Sequence, residues 1–230
     1  MNIAIIPARG GSKRIPKKNI KLFHGRPIIS YSIEAALKSG LFEKVIVSTD
    51  NEEIKSISEK YGAIVPFKRP KKLSDDFTGT HEVIKHAVKK LIAKNFQFDF
   101  ACCIYATAPL ISKRDLFEGF KIIKNRKYKS VFAATDFSYP IQRSFFMEDE
   151  GIKMFFPENY EKRSQDFKKA YHDAGQFYWS SKKDWLDEAP KLDENCFPVT
   201  IPSWRVQDID NIDDWIRAEN IFELKKNEIR

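Results

Sequence analysis

Asn2-Ile3-Ala4-Ile5-Ile6-Pro7-Ala8-Arg9-Gly10-Gly11-Ser12-Lys13-Arg14-Ile15-Pro16-Lys17-Lys18-Asn19 is the stretch from which the rest of the chain is read. Ile3 to Ile6 is a short, unbroken apolar run, the pattern of a strand buried on both faces. It carries no basic region before its apolar run and is too short for a signal peptide, so it reads as the first core strand. A loop rich in Gly, Lys and Arg follows directly. A buried strand running straight into a glycine turn is how an α/β unit begins.

Outward from there, helical and extended patterns alternate. Residues 27–38 read as a helix with Pro27 in its first turn and Gly40 as its stop. Residues 45–48 read as a second strand. Asp50 and Glu53 have capping-box spacing for a helix that Gly62 ends, and 63–67 read as a third strand. Residues 80–93 are amphipathic, with Val83, Ala87, Val88 and Leu91 on one side. A strand over 100–105, a turn, a helix capped by Ser112 and a strand over 130–134 follow. The rhythm breaks over 137–170, where aromatic residues and a Gly151 turn suggest a hairpin excursion. Strands over 174–179 and 197–201, a short helix over 182–187 and a terminal helix over 212–226 complete the pattern. This alternation predicts one α/β domain over residues 1–230 with a mostly parallel sheet. Ligands of such sheets sit at the carboxyl ends of the strands. There the loop 9–19, the segment after Phe67 and the turn after Tyr105 should converge.

Composition narrows the function. Hydrophobic residues make up 42% of the 230, enough for a packed core rather than disorder. No apolar stretch reaches membrane-spanning length. Cys102, Cys103 and Cys196 lack zinc-site spacing and read as free thiols suited to a reducing cytoplasm. The net charge of +8, from 40 Lys and Arg against 32 Asp and Glu, is scattered except over residues 9–21. No nucleic-acid-binding motif accompanies it, and a positive surface equally draws in small, highly charged anions; a nucleic-acid-binding module is the distant alternative.

The first loop suits a triphosphate. Gly10 and Gly11 let backbone approach a ligand, exposed amides form an anion nest, and Arg9, Lys13 and Lys18 add charge. It is neither a Walker A loop nor a dinucleotide turn. The bland reading is a solvated basic loop.

Ile5 to Lys13, with Pro16, Lys18 and Asn19, resembles the nucleotide loop of the acylneuraminate cytidylyltransferase family. Val47-Ser48-Thr49-Asp50, Arg69-Pro70 with Leu73-Ser74 and Asp76, and Asp208-Ile209-Asp210 match in the same order. The resemblance implies a Rossmann-like three-layer sandwich with a mostly parallel mixed sheet, of the nucleotide-diphospho-sugar transferase type, plus a small dimerisation excursion. It implies a cytidylyltransferase that uses CTP, an acidic nine-carbon sugar and Mg²⁺. Ala8, Arg9, Gly10, Gly11, Ser12, Lys13, Asn19, Arg69, Asp76, Thr78 and Thr80 become nucleotide-binding candidates. Arg9, Lys13, Lys18 and Asp210 become catalytic candidates. Asp208 and Asp210, at i and i+2 on extended backbone, project to one side and correspond to the family's metal ligands. Asp210 or Asn211 is equally placed to cap the terminal helix.

Within the family, Cys103-Ile104-Tyr105-Ala106-Thr107-Ala108-Pro109-Leu110, Tyr139-Pro140-Ile141-Gln142-Arg143 and the segment from Arg163 to Gly175 are most similar to enzymes that activate pseudaminic acid. The corresponding strings of sialic-acid synthetases differ. The alternatives are N-acetylneuraminate, legionaminate and 3-deoxy-octulosonate as acceptors. Tyr105, Gln142, Arg143, Arg163, Gln165, His172 and Asp173 are the sugar-binding candidates. His172 beside Asp173 is as readily a structural hydrogen bond. Phe145, Phe146, Phe155 and Phe156 read as a packing surface. In the family this excursion reaches over a partner subunit, which implies a homodimer.

Overall fold

The computed structural model of the chain describes residues 1–189 and 192–228. Strand β1 (Asn2–Pro7) leads through the first loop to a two-residue ribbon, β2 (Leu22–Phe23) and β3 (Arg26–Pro27), and then to α1 (Ile29–Ser39). β4 (Lys44–Ser48), α2 (Glu52–Lys60), α3 (Thr80–Ala93), β5 (Phe100–Ile104), α4 (Lys113–Ile123) and β6 (Ser130–Asp136) follow. A separate hairpin, β7 (Phe145–Glu148) with β8 (Gly151–Met154), precedes β9 (Tyr171–Ser181). Then come α5 (Lys182–Leu186), β10 (Cys196–Thr200) and α6 (Ile212–Glu228). The main sheet has the order β10-β6-β9-β5-β1-β4. β9 runs antiparallel to both of its neighbours, β5 and β6, while the other pairs are parallel.

Both sheet faces are covered, so the central strands are apolar throughout. On one face Ala4, Ile6, Val45 and Cys102 pack with Ile29 and Ile33 of α1 and Leu116 of α4. On the other, Ile3, Ile5, Ile46 and Cys103 pack with Ile84, Val88 and Leu91 of α3 and Trp185 of α5. The adjacent cysteines thus fall on opposite faces, as period-two alternation requires. A third cluster is separate from these two. Ile15 of the first loop, Phe23, Ile28, Ile209, Trp215 and Ala218 bury one another there. It ties the start of the chain to its end.

Several local expectations shift by tertiary context. Pro27 pairs in the β2–β3 ribbon, and the first long helix starts only at Ile29. Asn51, not Asp50, caps α2: its side chain accepts from the Ile54 amide at 3.0 Å, while Asp50 takes the Gly10 amide at 3.0 Å. The third strand is reduced to single bridges at Ile64 and Lys68. Asn211 caps α6, its side chain accepting from the Asp214 amide at 3.0 Å, which leaves the Asp210 carboxylate to other partners.

Candidate active site

The carboxyl ends of the parallel strands β1 and β5 open onto one cleft of about 290 Å³. The first loop supplies Arg9, Ser12, Lys13, Arg14, Lys18 and Asn19 to its lining. The segment before α3 supplies Arg69, Asp76, Thr78 and Thr80; Tyr105 follows β5, and Asp210 arrives from the far end of the sequence. Three expected loops and one of the two aspartates of the terminal pair therefore meet. Ala8 is buried behind this lining.

The loop is held from behind. Besides the Gly10 bond to Asp50, Asn19 Nδ2 donates to the Arg9 carbonyl at 2.9 Å. A Cβ on Gly10 would sit 2.8 Å from Asn51 Nδ2, so any larger residue pushes the loop off the start of α2. With its back fixed, the loop turns its cations into the cleft, and each finds an anion. Arg9 lies 2.8 Å and Lys13 2.5 Å from Asp76, and Arg9 also donates to the Asp75 carbonyl. Arg14 lies 2.9 Å and Lys18 3.5 Å from Asp210, with Lys18 also donating to the Ile209 carbonyl. Lys13 and Arg9 hold the Asp76 carboxyl below the usual carboxylate range.

Arg69 is different: it is 4% exposed. Its Nε donates to Ser74 Oγ at 3.0 Å, but one terminal nitrogen has no hydrogen-bond partner. The closest anion, Asp50, is 3.8 Å away, too far for a hydrogen bond. Burial, with Arg9 nearby, pulls the guanidinium below its ordinary value. An orphaned donor on a buried cation at the wall of a cleft is the strongest local sign of an absent anionic or carbonyl ligand.

Asp208 and Asp210 flank Ile209, which is fully buried in the third cluster. The strand-like alternation leaves both carboxylates on the outer side. Asp208 stands at the surface, but packing around it and then the neighbouring Asp210 charge push its carboxyl above the usual range. Two mutually repelling carboxylates beside a phosphate-sized cationic loop fit a divalent cation that keeps waters and bridges phosphates. Among the described residues no group of three or more His, Cys, Asp or Glu is arranged as a full protein metal cage.

The sugar-side candidates divide. Tyr105 lines the cleft and meets Thr80 Oγ1 at 3.2 Å. Thr80 is the first residue of α3 rather than its cap, a place taken by Gly79. His172 and Asp173 lie on β9, and His172 Nδ1 contacts the Asp173 carbonyl at 2.8 Å, the structural alternative its position suggested. Gln142, Arg143, Arg163 and Gln165 belong to the excursion and do not line the cleft. Gln142 and Gln165 border a second hollow of about 260 Å³. Arg143 donates to the Lys162 carbonyl. Arg163 is exposed at the start of a single helical turn, its carbonyl accepting from the Asp166 amide at 3.1 Å.

Sequence reasoning passed over Arg14, Asp75 and Tyr178. Arg14 stands in the same basic run as its neighbours, which was signal enough. Asp75 folds its own loop: its carboxylate accepts the Phe77 and Thr78 amides and the Thr78 hydroxyl. Tyr178 carried no local signal, being one aromatic among several on a strand.

Residues 3–192 match the family model described as cytidylyltransferase. The chain is 46% identical over 224 residues, 97% of both chains, to a pseudaminic acid cytidylyltransferase of Campylobacter jejuni subsp. jejuni serotype O:2. It is 31% identical, over 97% of each chain, to a CMP-N,N'-diacetyllegionaminic acid synthase of Legionella pneumophila. Among solved structures, a CMP:2-keto-3-deoxy-manno-octonic acid synthetase complexed with CTP superposes with a TM-score of 0.73. It covers 97% of this chain and 99% of its own at 15% identity, a likeness of fold. With a matching model over most of its length and a full-length relative at this identity, the chain belongs to the cytidylyltransferase family.

Proposed function

We propose that the chain transfers the cytidylyl group of CTP to the anomeric hydroxyl of pseudaminic acid, releasing pyrophosphate. The observation that carries this reading is the end-to-end likeness to the Campylobacter enzyme of that name. The cleft supports it by bringing five cations and Asp210 to one place.

In this reading the sugar hydroxyl oxygen attacks the α-phosphorus. A P–O bond forms to the sugar while the bond to the β-phosphate oxygen breaks, and pyrophosphate leaves with that electron pair. The hydroxyl proton passes to a nearby carboxylate or to water. No covalent adduct with the protein is required, so catalysis is positioning and charge compensation. Arg9, Lys13 and Lys18 exchange their present carboxylate partners for phosphate oxygens and offset the charge that builds on pyrophosphate. Arg69, Asp76, Thr78, Thr80 and the loop backbone over 8–12 and Asn19 hold the nucleotide. Asp208 and Asp210 would hold a magnesium ion, which would polarise the α-phosphate.

The acidic sugar occupies the side of the cleft bounded by Tyr105, His172 and Asp173. Gln142, Arg143, Arg163 and Gln165 reach it across a homodimer, the excursion over 137–170 lying against the partner subunit. The exposed apolar side chains of that excursion support the dimer: Phe145, Met147, Ile152 and Phe155 are all more than half exposed in the single chain. The buried thiols of Cys102 and Cys103 and a nucleotide substrate suit a cytoplasmic setting; among the described residues no helix is long and apolar enough to cross a membrane.

The deciding experiment incubates the chain with CTP or UTP and a panel of pseudaminic, legionaminic, N-acetylneuraminic and 3-deoxy-octulosonic acids, reading pyrophosphate. Pseudaminic acid with CTP should dominate. Faster turnover of another acid would replace the sugar, and equal use of UTP would remove the cytidine assignment.

A further inference from the structure

β9 pairs regularly with β5, from Phe100 opposite Ser181 to Ile104 opposite Phe177. On its other side the register slips: Tyr178 faces Phe132, but the next pair is Asp173 with Ala134. Extra residues of β9 are therefore looped out as a bulge. Gly175, in the left-handed region at φ 61°, makes the turn, and a Cβ there would come 3.3 Å from the Asp208 Cγ. The bulge has a chemical consequence. Residues five apart on a regular strand point to opposite faces, yet the Tyr178 hydroxyl lies 2.8 Å from both carboxylate oxygens of Asp173. Asp173 also accepts the Gly175 amide at 2.7 Å.

The chain of contacts continues into the cleft. The Tyr178 and Tyr105 rings are 5.3 Å apart, and Tyr105 reaches Thr80 Oγ1 at 3.2 Å. A carboxylate only accepts, so Tyr178 donates to Asp173. Burial pushes both phenols above the tyrosine range, which keeps their protons in place. Asp173 is exposed, so it retains lone pairs for a ligand, next to the carboxylate pair where the attacking hydroxyl must arrive.

We infer that Tyr178 is a positioning residue for the acidic sugar: it orients Asp173 so that this wall presents a hydrogen-bond acceptor to the cleft. The wall thereby selects a sugar carrying a donor, an acylamino N–H or a hydroxyl, on the facing side. The same wall repels a carboxylate, so the acid group of the sugar lies away from Asp173. This rests on the proposed placement of the sugar beside Tyr105 and Asp173.

The test compares wild type, Tyr178→Phe and Asp173→Asn, varying sugar and CTP separately. Tyr178→Phe should raise KM for the sugar about tenfold, the effect of losing one orienting bond to a charged group. It should leave KM for CTP and the thermal midpoint in place. Asp173→Asn, which puts an amide donor where an acceptor stood, should raise the sugar KM further. An analogue with an acylamino N–H replaced by an ester oxygen should lose affinity for wild type but much less for Tyr178→Phe, since the two losses share one contact. Unchanged sugar KM in both variants overturns the inference. So does a parallel rise in CTP KM with a lowered thermal midpoint, which marks a merely structural pair. The panel on wild type is read first. Turnover of a different acid overturns the proposed substrate while the same comparison on that acid still tests Tyr178, and turnover of none overturns both.

Discussion

Replacing Arg69 by Met should separate the stability of this protein from its grip on CTP. Arg69 is nearly fully buried, with one terminal nitrogen unpaired. A buried donor left unsatisfied costs roughly 1–3 kcal/mol, so the ligand-free protein gains little from this guanidinium. Methionine keeps much of the stem's packing and removes the orphan. Asp50 loses a cation 3.8 Å away but keeps the Gly10 amide. The ligand-free stability of Arg69→Met should therefore stay within about 1 kcal/mol of wild type. Binding is another matter. A hydrogen bond to a charged group contributes about 1.5–3 kcal/mol, or roughly 10- to 150-fold in Kd. With CTP at about 100 times the wild-type Kd, ligand stabilises wild type by about 2.7 kcal/mol. A variant weakened about 100-fold keeps only about 0.4 kcal/mol under the same conditions. Urea unfolding with and without CTP reads both quantities. Full CTP-dependent stabilisation of Arg69→Met would refute the reasoning. A large loss without CTP would show that the guanidinium holds the loop instead.

Asp210→Ala should lower turnover by on the order of 100-fold or more. It also frees Arg14 and Lys18, so CTP binding without magnesium should be kept, and calorimetry beside kinetics distinguishes the two effects. Asp115 accepts from Arg205 at 2.7 and 2.9 Å and from Ser112 at 2.7 Å. Burial alone would raise its carboxyl, but these bonds outweigh it and hold the group below the ordinary range. Its contribution to stability is thus complete above the unfolded carboxylate value and lost as pH falls through the lower folded value. Asp115→Asn should cost about 3–5 kcal/mol at neutral pH and flatten that acid limb in denaturant titrations. Met147→Glu with Ile152→Glu, both on the exposed hairpin, should convert a dimer to monomers in analytical ultracentrifugation, and an unchanged mass would remove the excursion from the interface.

The parts legible in the sequence are those whose cause is local. An apolar run followed by glycines and cations marks a buried strand feeding a phosphate-type loop. A single isoleucine between two aspartates marks alternation, and Ile209 is indeed the buried member. Asp50 shows the limit. It is as good a cap as Asn51 by type, and what decides between them is the amide of Gly10, forty positions earlier. The bulge in β9 is illegible for the same reason. Whether Asp173 and Tyr178 share a side depends on how β9 pairs with β6, not on any period within β9. The excursion carries residues that resemble a sugar site yet lie off the cleft of their own chain, a placement that no periodicity within the string reveals.

The placement of charge in this site rests on an apolar contact. Arg14 and Lys18 reach Asp210 because Ile15, in their loop, and Ile209, next to Asp210, are buried in one cluster with Phe23 and Trp215. Around that cluster Phe23 meets Trp215 and Phe222 edge-on, ring centres 5.5 and 5.3 Å apart. Without ligand, the four loop cations are shared between Asp76 and Asp210. A triphosphate therefore exchanges partners with groups already in position rather than ordering free side chains, which lowers the entropic cost of binding. Surface ion pairs contribute little by themselves, so they do not hold the loop where the phosphates need it. The buried isoleucines do, and the distance between the cationic loop and the paired carboxylates is set by side chains that touch neither substrate.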